Sequence, residues 1–293
     1  MAQPAFDPRI ITVTLDFGNG NTQTYQDIYI KAQGVKGFTS QMGQCSITLL
    51  NLTPQQRFYI LTQASPQKVP AQPILVTLQA GRQLAGTFVL FEGYTMASNS
   101  SQPPDIGITL QAVTNNLAMW IVQQVQMPPF ATIQTIAEKI AAGDPATGQG
   151  KLTLDFEATI AATKKIDNFS YTGAQGKLVE KLNKLGVNAY IEGTTLVVLD
   201  IGKTRNAPII QINAQTGMVG IPEVNTYGIK CRVMLDSKYR LAQQVEVTSI
   251  ENPAANGQYM IYSMAFDIAN RENAFWYELE LHNKYATAGY NAS

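Results

Sequence analysis

Charged side chains are scarce in this chain of 293 residues: Asp, Glu, Lys and Arg together make up 14%, against roughly 25% in an average soluble domain. Acidic and basic residues number 21 each, so the net charge is zero with the histidine neutral. A neutral chain has no overall field that steers it toward nucleic acid or an acidic membrane. The low charge indicates either a neutral polar exterior, as in secreted β-proteins, or large surfaces covered by other subunits, because interface cores are depleted of charge.

Cysteine and long apolar runs are also rare. The two cysteines, Cys45 and Cys231, lie far apart in the sequence, and Cys45 alternates with Ile47 and Leu49. This pattern predicts a buried thiol rather than a disulfide framework. No apolar run approaches the roughly 20 residues that span a bilayer, and residues 1–8 do not resemble a secretory signal. We therefore predict a protein that is made in the cytosol and has no membrane-spanning segment.

Groups that carry catalysis are few. His282 is the single histidine, so any serine or cysteine triad would have to use it, and no Gly-x-Ser-x-Gly elbow is present. Glu278 and Glu280 could pair their carboxylates, but acids at alternate positions are typical of a solvated strand face. With one histidine and two separated cysteines, a zinc site is also disfavoured. We predict no catalytic residues, no cofactor and no metal site.

What the sequence does contain is alternating strands. Residues 11–17, 24–31, 45–49, 74–80, 87–94 and 106–112 each have a period of two or a continuous apolar run. One helix is predicted after the first three strands, with Thr53 as its N-cap and Pro54 in its first turn. Gly81-Arg82 is predicted to form a turn and residues 98–104 a polar loop. Residues 1–115 are therefore predicted to form one β-domain.

The middle of the chain has a different pattern. Ile133, Ile136, Ala137 and Ile140 have helical spacing, and a second helix carries Leu178, Leu182 and Leu185 up to Gly186. A short hairpin, 187–191 and 196–199, follows. Residues 116–205 are predicted to form a small α+β domain, and the strands that resume at 209–212, 229–235 and 245–250 open a second β-domain, 206–293. The fold class is mainly β with an α+β insert.

The longest alternating segment runs from Asn252 to His282. On its first arm one face is predicted to carry Met260, Tyr262, Met264, Phe266 and Ile268. On its second arm Phe275, Tyr277, Leu279 and Leu281 share a face, while Glu278, Glu280 and His282 point away. Two long strands closed by a polar turn predict a β-ribbon that belongs to a large sheet.

Three passages together resemble the baseplate hub proteins of contractile-tailed bacteriophages, of the kind found in Mu-like tails. They are residues 46–53 leading to Arg57, the segment Gly217-Met218-Val219-Gly220-Ile221-Pro222, and residues 256–262 continuing through Asn270-Arg271 to Trp276. The resemblance implies a homotrimer with two tail-tube-like β-barrel or β-sandwich domains per subunit. Six such domains would close a pseudo-sixfold ring between the hexameric tail tube and the trimeric central spike.

The resemblance also implies partners and a location. The expected partners are the tail tube protein, the central spike protein, baseplate wedge proteins and tape-measure proteins, and genomic DNA would pass through the lumen without sequence-specific binding. The protein would belong to the virion tail baseplate and be assembled in the cytoplasm of the host bacterium. Arg271, Trp276, Glu278 and Glu280 are expected at a subunit interface or in the lumen.

Other functions remain open at this point. A tail-tube subunit would more naturally be a single β-domain of half this length, and the base of a secretion-system spike would normally continue into a triple-stranded β-helix. A tail-borne cell-wall hydrolase would need paired acids in a cleft, for which Glu278 and Glu280 are the candidates. A carbohydrate-binding module would use Trp120 or Trp276.

Overall fold

The structure is a computed structural model that describes residues 7–18, 20–37, 43–65, 74–114, 122–145 and 150–283. The protein is mainly β, as predicted, and thirteen strands from the two ends of the chain form one sheet. Strands of the middle segment form separate small sheets. The domain boundaries at 115/116 and 205/206 stay a prediction.

The N-terminal part of the chain contributes seven strands, which we call the first β-unit. They are β1 (Arg9–Asp16), β2 (Thr22–Tyr25), β3 (Tyr29–Gly37), β4 (Gln44–Leu50), β5 (Leu75–Arg82), β6 (Gly86–Ser100) and β7 (Ile108–Val113). Their spatial order is β3-β4-β7-β6-β5-β1-β2, and every neighbouring pair is antiparallel.

The C-terminal part contributes six strands, the second β-unit. They are β15 (Ile210–Ile212), β16 (Met218–Val224), β17 (Gly228–Met234), β18 (Gln244–Val247), β19 (Gly257–Ala269) and β20 (Phe275–Asn283). Their spatial order is β16-β17-β20-β19-β18-β15. If β2 is left out and the remaining strands are matched in chain order, so that β1 corresponds to β15 and β3 to β16, the two units have the same spatial order. One pair differs, since β15 and β18 are parallel whereas β1 and β5 are antiparallel. The repeated order indicates that both units are built on one plan.

The two units are joined by an antiparallel pair within the sheet. Ser263–Ala269 of β19 lie opposite Lys31–Gly37 of β3. The apolar faces of both units also form one continuous core, which includes Ile47 and Leu78 from the first unit and Phe266 and Leu279 from the second. The chain therefore packs its two ends together across a pairing that spans more than 200 positions in the sequence.

The helix predicted after β4 is present as α1 (Pro54–Gln63). Thr53 Oγ1 accepts from the Gln56 backbone N–H, and Gln56 Oε1 accepts from the Thr53 N–H, so a capping box fixes its start. Three details of the first unit were predicted wrongly. β5 continues through Arg82, where a turn was expected, and β6 continues to Ser100, into the predicted loop, because both residues still pair with neighbouring strands. Ile106 precedes β7 instead of lying in it.

The middle segment forms two helices and several short strands. They are β8 (Val122–Met127), β9 (Ala131–Thr132), α2 (Ile133–Ala141), β10 (Thr153–Phe156), a 3-10 turn (Ala161–Thr163), β11 (Lys165–Ile166), β12 (Phe169–Ala174), α3 (Gln175–Asn183), β13 (Val187–Glu192) and β14 (Thr195–Asp200). The predicted helices and hairpin are confirmed, although α3 ends before Leu185. One face of the hairpin packs on the helices, while Tyr190, Val197 and Leu199 pack into the core of the β-units.

The C-terminal ribbon contains a β-bulge that its sequence pattern conceals. Ile261 lies opposite Leu281 and Ser263 opposite Glu280, so Tyr262 is an extra residue in β19. A bulge reverses the alternation of faces. Met264, Phe266 and Ile268 face the core as predicted, and Met260 is also buried in it, but the extra residue Tyr262 interrupts the single alternation that was predicted for the whole arm.

Candidate subunit-contact surfaces

The inner face of β20 is packed as the sequence predicts. Phe275, Tyr277, Leu279 and Leu281 are all buried. Burial raises the pKa of the Tyr277 phenol well above its ordinary value. This face is core, so any contact with other molecules must use the opposite face or the edges of the sheet.

The outer face of β20 and β17 carries a small ladder of paired charges. Glu278 accepts from Lys230 Nζ at 2.6 Å and from Arg232 Nη2 at 3.4 Å, and Arg232 also lies over the Trp276 ring, with Cζ 4.8 Å from the centroid. The hydrogen bond from Lys230 holds the pKa of Glu278 below its usual value. Trp276 and Glu278, both predicted as contact residues, therefore share one half-exposed polar patch.

Glu280 continues this face, but His282 differs from its prediction. Its side chain was expected to face solvent or a neighbour, yet it is buried. The imidazole stacks on the bulged Tyr262 with ring centroids 3.9 Å apart, and Tyr227 lies on its other side at 5.8 Å. Glu280 Oε1 is 3.4 Å from His282 Nε2. The bulge brings Tyr262 to the outer face, where it covers the histidine.

Arg271 lies apart from the other three predicted contact residues, at the tip of the ribbon. Its guanidinium donates to the Asp27 carbonyl at 3.2 Å. The tip is fixed to the first unit by further bonds: Asn270 Oδ1 accepts from the Ile30 N–H at 3.1 Å, and Glu272 accepts from Lys31 Nζ at 2.8 Å and from the Tyr29 hydroxyl. The ribbon tip thus acts as a clamp between the two units of one chain.

A second polar cluster lies where the middle segment meets the second unit. The Arg205 guanidinium is buried and pairs with Asp155 at 3.0 Å and Glu192 at 3.5 Å. Burial opposes its charge, but the phenol of Tyr190 and these carboxylates outweigh it and raise the pKa of Arg205. Lys36 lines a neighbouring cleft of about 380 Å³, and burial lowers its pKa. The Tyr190 hydroxyl beside this cluster donates to the Leu241 carbonyl at 3.2 Å, which links the middle segment to the C-terminal part of the chain.

The arrangement does not favour acid–base chemistry at Glu278 and Glu280. A general acid requires a raised pKa, whereas cations lower that of Glu278. Among the described residues, no group of three His, Cys, Asp or Glu is placed to hold a metal ion. Cys45 and Cys231 are free and buried, and burial raises the pKa of Cys231 to about 12. Trp120, the other candidate for carbohydrate binding, lies outside the described residues.

The sequence analysis missed two strand edges that have no partner strand among the described residues. β16 pairs with β17 on one side, and no described strand lies on its other side. The last residues of β6, Ala97–Ser100, pair with β7 but lie beyond the part of β6 that pairs with β5. The alternation of β16 is broken by Gly220 and Pro222, so the sequence predicted a turn and an extended segment there instead of an edge strand. The structure shows that the apolar side chains of Ile221 and Val224 are exposed, and this exposure is what indicates a contact surface.

No part of the described structure is a helix that is long and apolar enough to cross a membrane. The fold itself is that of phage tail proteins. The chain resembles the tail protein of Neisseria meningitidis MC58 with a TM-score of 0.65, 11% identity, and coverage of 96% of this chain and 98% of that one. It resembles the 43 kDa tail protein of prophage MuSo2 from Shewanella oneidensis with a TM-score of 0.61, 9% identity, and coverage of 94% and 99%.

An E. coli component of the type VI secretion system, described as similar to T4 tail proteins gp27 and gp5, also shares the fold (TM-score 0.52, 10% identity, coverage 96% and 75%). No curated protein sequence matches significantly. The sequence model of the Baseplate hub gp41 family matches residues 10–281, and the chain belongs to that family. It is a structural protein of the phage tail baseplate hub, as its sequence resemblance predicted.

Proposed function

We propose that the protein forms a homotrimeric ring that joins the hexameric tail tube to the trimeric central spike. The observation that carries this proposal is the repeated strand order of the two β-units within one chain. Three copies would supply six units, so the ring could present near-sixfold symmetry to the tube and threefold symmetry to the spike. Ring closure by identical head-to-tail contacts is a standard form of oligomer symmetry.

Eight strands of each chain would form the wall of the ring. They follow one another as β16-β17-β20-β19-β3-β4-β7-β6, so eight strands from each of three copies give a wall of 24. Trimerisation would also pair edges that a single chain leaves open, which removes a source of aggregation.

The face of these strands that points away from the hydrophobic core would line the lumen, and its charges support a role as a channel for DNA. Its cations are paired with acids, Lys230 and Arg232 with Glu278 and Lys31 with Glu272. DNA binding depends on basic groups that are free to neutralise phosphates, so a wall of paired charges would let genomic DNA pass without holding it. Trp276, Glu278 and Glu280 would face this lumen or a neighbouring subunit, and Arg271 would lie at a unit junction.

The remaining parts of the proposal follow from membership of the hub family. The partners would be the tube, spike, wedge and tape-measure proteins, assembled in the host bacterial cytoplasm into the virion. The protein would act as a structural adaptor without catalysis or cofactor. A base for a secretion-system spike is the nearest alternative, favoured by the shared fold of the E. coli type VI component.

Native mass spectrometry of the full chain at micromolar concentration tests the ring. A trimer is expected, and electron microscopy of that trimer should show six similar densities around a channel. A chain that stays monomeric contradicts the proposal. Binding of the trimer to tube protein from its own phage, but not to a type VI tube protein, would separate the hub from the secretion alternative.

A further inference from the structure

The joint between the two units of one chain starts at a bulge. β19 pairs with β18 up to Met260, carries its extra residue at Tyr262, and then pairs with β3 from Ser263 onward. The bulge therefore marks the point at which β19 leaves its own unit and takes a strand of the other unit as its neighbour.

The first unit has the same bulge in the matching strand. β6 pairs with β5 through Tyr94, carries its extra residue at Met96, and continues as Ala97–Ser100. This last stretch pairs with β7 on one side, and no described strand lies on its other side. Met96 is 50% exposed, whereas the matching Tyr262 covers His282. β6 thus repeats the geometry of β19 and lacks its partner.

The strand that matches β3 also lacks a partner. β3 is held between β4 and β19, while its counterpart β16 pairs with β17 and has no second partner strand among the described residues, although Asn252 donates to the Pro222 carbonyl at 2.8 Å. Ile221 and Val224 of β16 are 60% and 55% exposed. Among its described residues, each chain therefore has one strand edge of each kind without a partner strand: the end of β6, which matches the β19 side of the joint, and β16, which matches its β3 side.

We infer that Val224, at the end of β16 in one copy, pairs antiparallel with Ser100, at the end of β6 in the next copy, and so repeats between chains the joint that β3 and β19 make within a chain. The inference rests on the proposed ring and names its contact. Such a pairing joins two different surfaces head to tail, which is the type of contact that closes a ring.

The structure also gives the register of this contact. In each unit we start at the residue before the bulge and move from strand to strand through the residues that lie opposite one another. In the first unit this path is Thr95, Ala112, Cys45 and Gly34, and in the second it is Ile261, Leu281, Ile229 and Val224. Val224 therefore occupies the position of Gly34. Counting four residues past each bulge matches Ser100 to Phe266, and Phe266 lies opposite Gly34. Ser100 should lie opposite Val224.

The chemistry of the two edges suits a buried pairing. Exposed edge strands are normally protected by charged side chains, lysine above all, yet Ala97–Ser100 carries none and β16 carries only Glu223. Pro222 cannot donate a hydrogen bond to a neighbouring strand, which limits the pairing to residues after it. The residues that follow, Glu223 and Val224, are those that the register places in the contact.

A disulfide tests the register directly. In the S100C/V224C variant, the two thiols of neighbouring copies would lie on opposite residues of an antiparallel pair, a separation that permits a disulfide. After mild oxidation we expect covalent dimers and trimers, and no higher species, on a denaturing non-reducing gel. S100C alone, V224C alone and S100C/I160C, whose Ile160 is 72% exposed in the middle segment, should remain largely monomeric on the gel. Cys45 and Cys231 are buried and can stay.

A second pair of variants tests the same edge without a cross-link. V224K should reduce the trimer fraction at least about tenfold, because the pairing would bury an unpaired ammonium group. I160K adds the same kind of charge at an exposed apolar residue outside the edge and should leave the trimer intact. Circular dichroism should show that all variants are folded, since the replaced side chains are exposed.

The outcomes separate this inference from the proposed ring. A wild-type trimer that neither cross-links through S100C/V224C nor weakens in V224K overturns the β6–β16 contact and leaves the ring standing. A chain that remains monomeric overturns both. Cross-linked species that extend beyond the trimer would keep the contact and overturn the closed threefold ring.

Discussion

The two β-units share a strand order but differ in what covers their matching edges. In the first unit β3 is covered by β19 of the same chain, and the tip of the β19–β20 ribbon is clamped by Arg9, Ile30 and Lys31. In the second unit β16 is open, and the matching tip in the first unit, residues 101–106, is exposed. The same strand arrangement thus occurs twice. In the first unit its edge strand β3 has a partner strand from the same chain, and in the second unit the matching strand β16 has none among the described residues.

The residues at the matching positions reflect this difference. Phe266 at the internal joint is buried and packs against Gly34, while Ser100 and Val224 at the open edges are exposed. An intrachain joint is always formed, so it can be apolar and tightly fitted. The two open edges carry side chains that make no comparable packing contact in the isolated chain, since both are exposed. Substitutions at matched positions should therefore have unequal effects on the isolated chain.

The largest effect is expected from F266A. Removing a buried phenylalanine leaves a cavity, and we expect the free energy of unfolding to fall by about 3–5 kcal/mol. S100A, at the matching position of the first unit, should stay within about 0.5 kcal/mol of the wild type because its side chain is exposed. Urea unfolding followed by circular dichroism measures both. Equal losses would contradict the asymmetry of the two units.

A smaller loss is expected from G34V. A Cβ at Gly34 would lie 2.5 Å from the Gln44 carbonyl oxygen and 2.7 Å from Phe266 Cε1, so backbone as well as side chain must move. We expect a loss of about 2–3 kcal/mol. The reverse change at the matching position, V224G, should cost about 1 kcal/mol or less, since it only lowers strand propensity at an exposed site. Unfolding midpoints that fall equally would show that the internal joint is as tolerant as the open edge.

Much of this fold could be predicted from its sequence, because strands with one buried face show a period of two. The helix start at Thr53, the inward face of Phe275 and Tyr277 and the hairpin of the middle segment were all predicted correctly. The errors occur where the period is interrupted. The bulge at Tyr262 interrupts the alternation of β19, and the extra residue stacks on His282, which was expected to face solvent or a neighbour.

The contact surfaces were harder to predict, for a physical reason. Glu278 and Trp276 were identified because charge and an aromatic ring stand out on a strand face, but the cations that hold them, Lys230 and Arg232, lie more than 40 residues away in the sequence. An open strand edge consists of backbone N–H and C=O groups. No side-chain pattern distinguishes it, so β16 emerged only from the pairing of the folded chain.

A modest effect is expected from E278Q on the outer face of the second unit. Its carboxylate pairs with Lys230 and Arg232 but is one-third exposed, so we expect a loss of about 0.5 kcal/mol, smaller still at high salt. E280Q, whose carboxylate contacts the His282 imidazole at 3.4 Å rather than a lysine or an arginine, serves as the comparison on the same face. Thermal unfolding at low and high salt measures the difference. A loss above 2 kcal/mol would show that this patch is a structural element of the monomer rather than a solvated surface.

The smallest and most specific effect is expected from E272Q, in the clamp that the first unit has and the second lacks. Hydrogen bonds from Lys31 and Tyr29 hold the pKa of Glu272 below its ordinary value of 4.5, so its contribution is present above that pH and is lost as the pH falls through the lowered pKa. Burial and the bond to Glu272 raise the pKa of Tyr29 from 10.0 to about 12, so that contribution is lost again as the pH rises through this range. The difference in unfolding midpoint between E272Q and the wild type should therefore be largest near neutral pH and vanish at both extremes. A difference that stays constant between about pH 3 and pH 7 would mean that the ribbon tip is held by Asn270 and Arg9 without help from the Glu272 carboxylate.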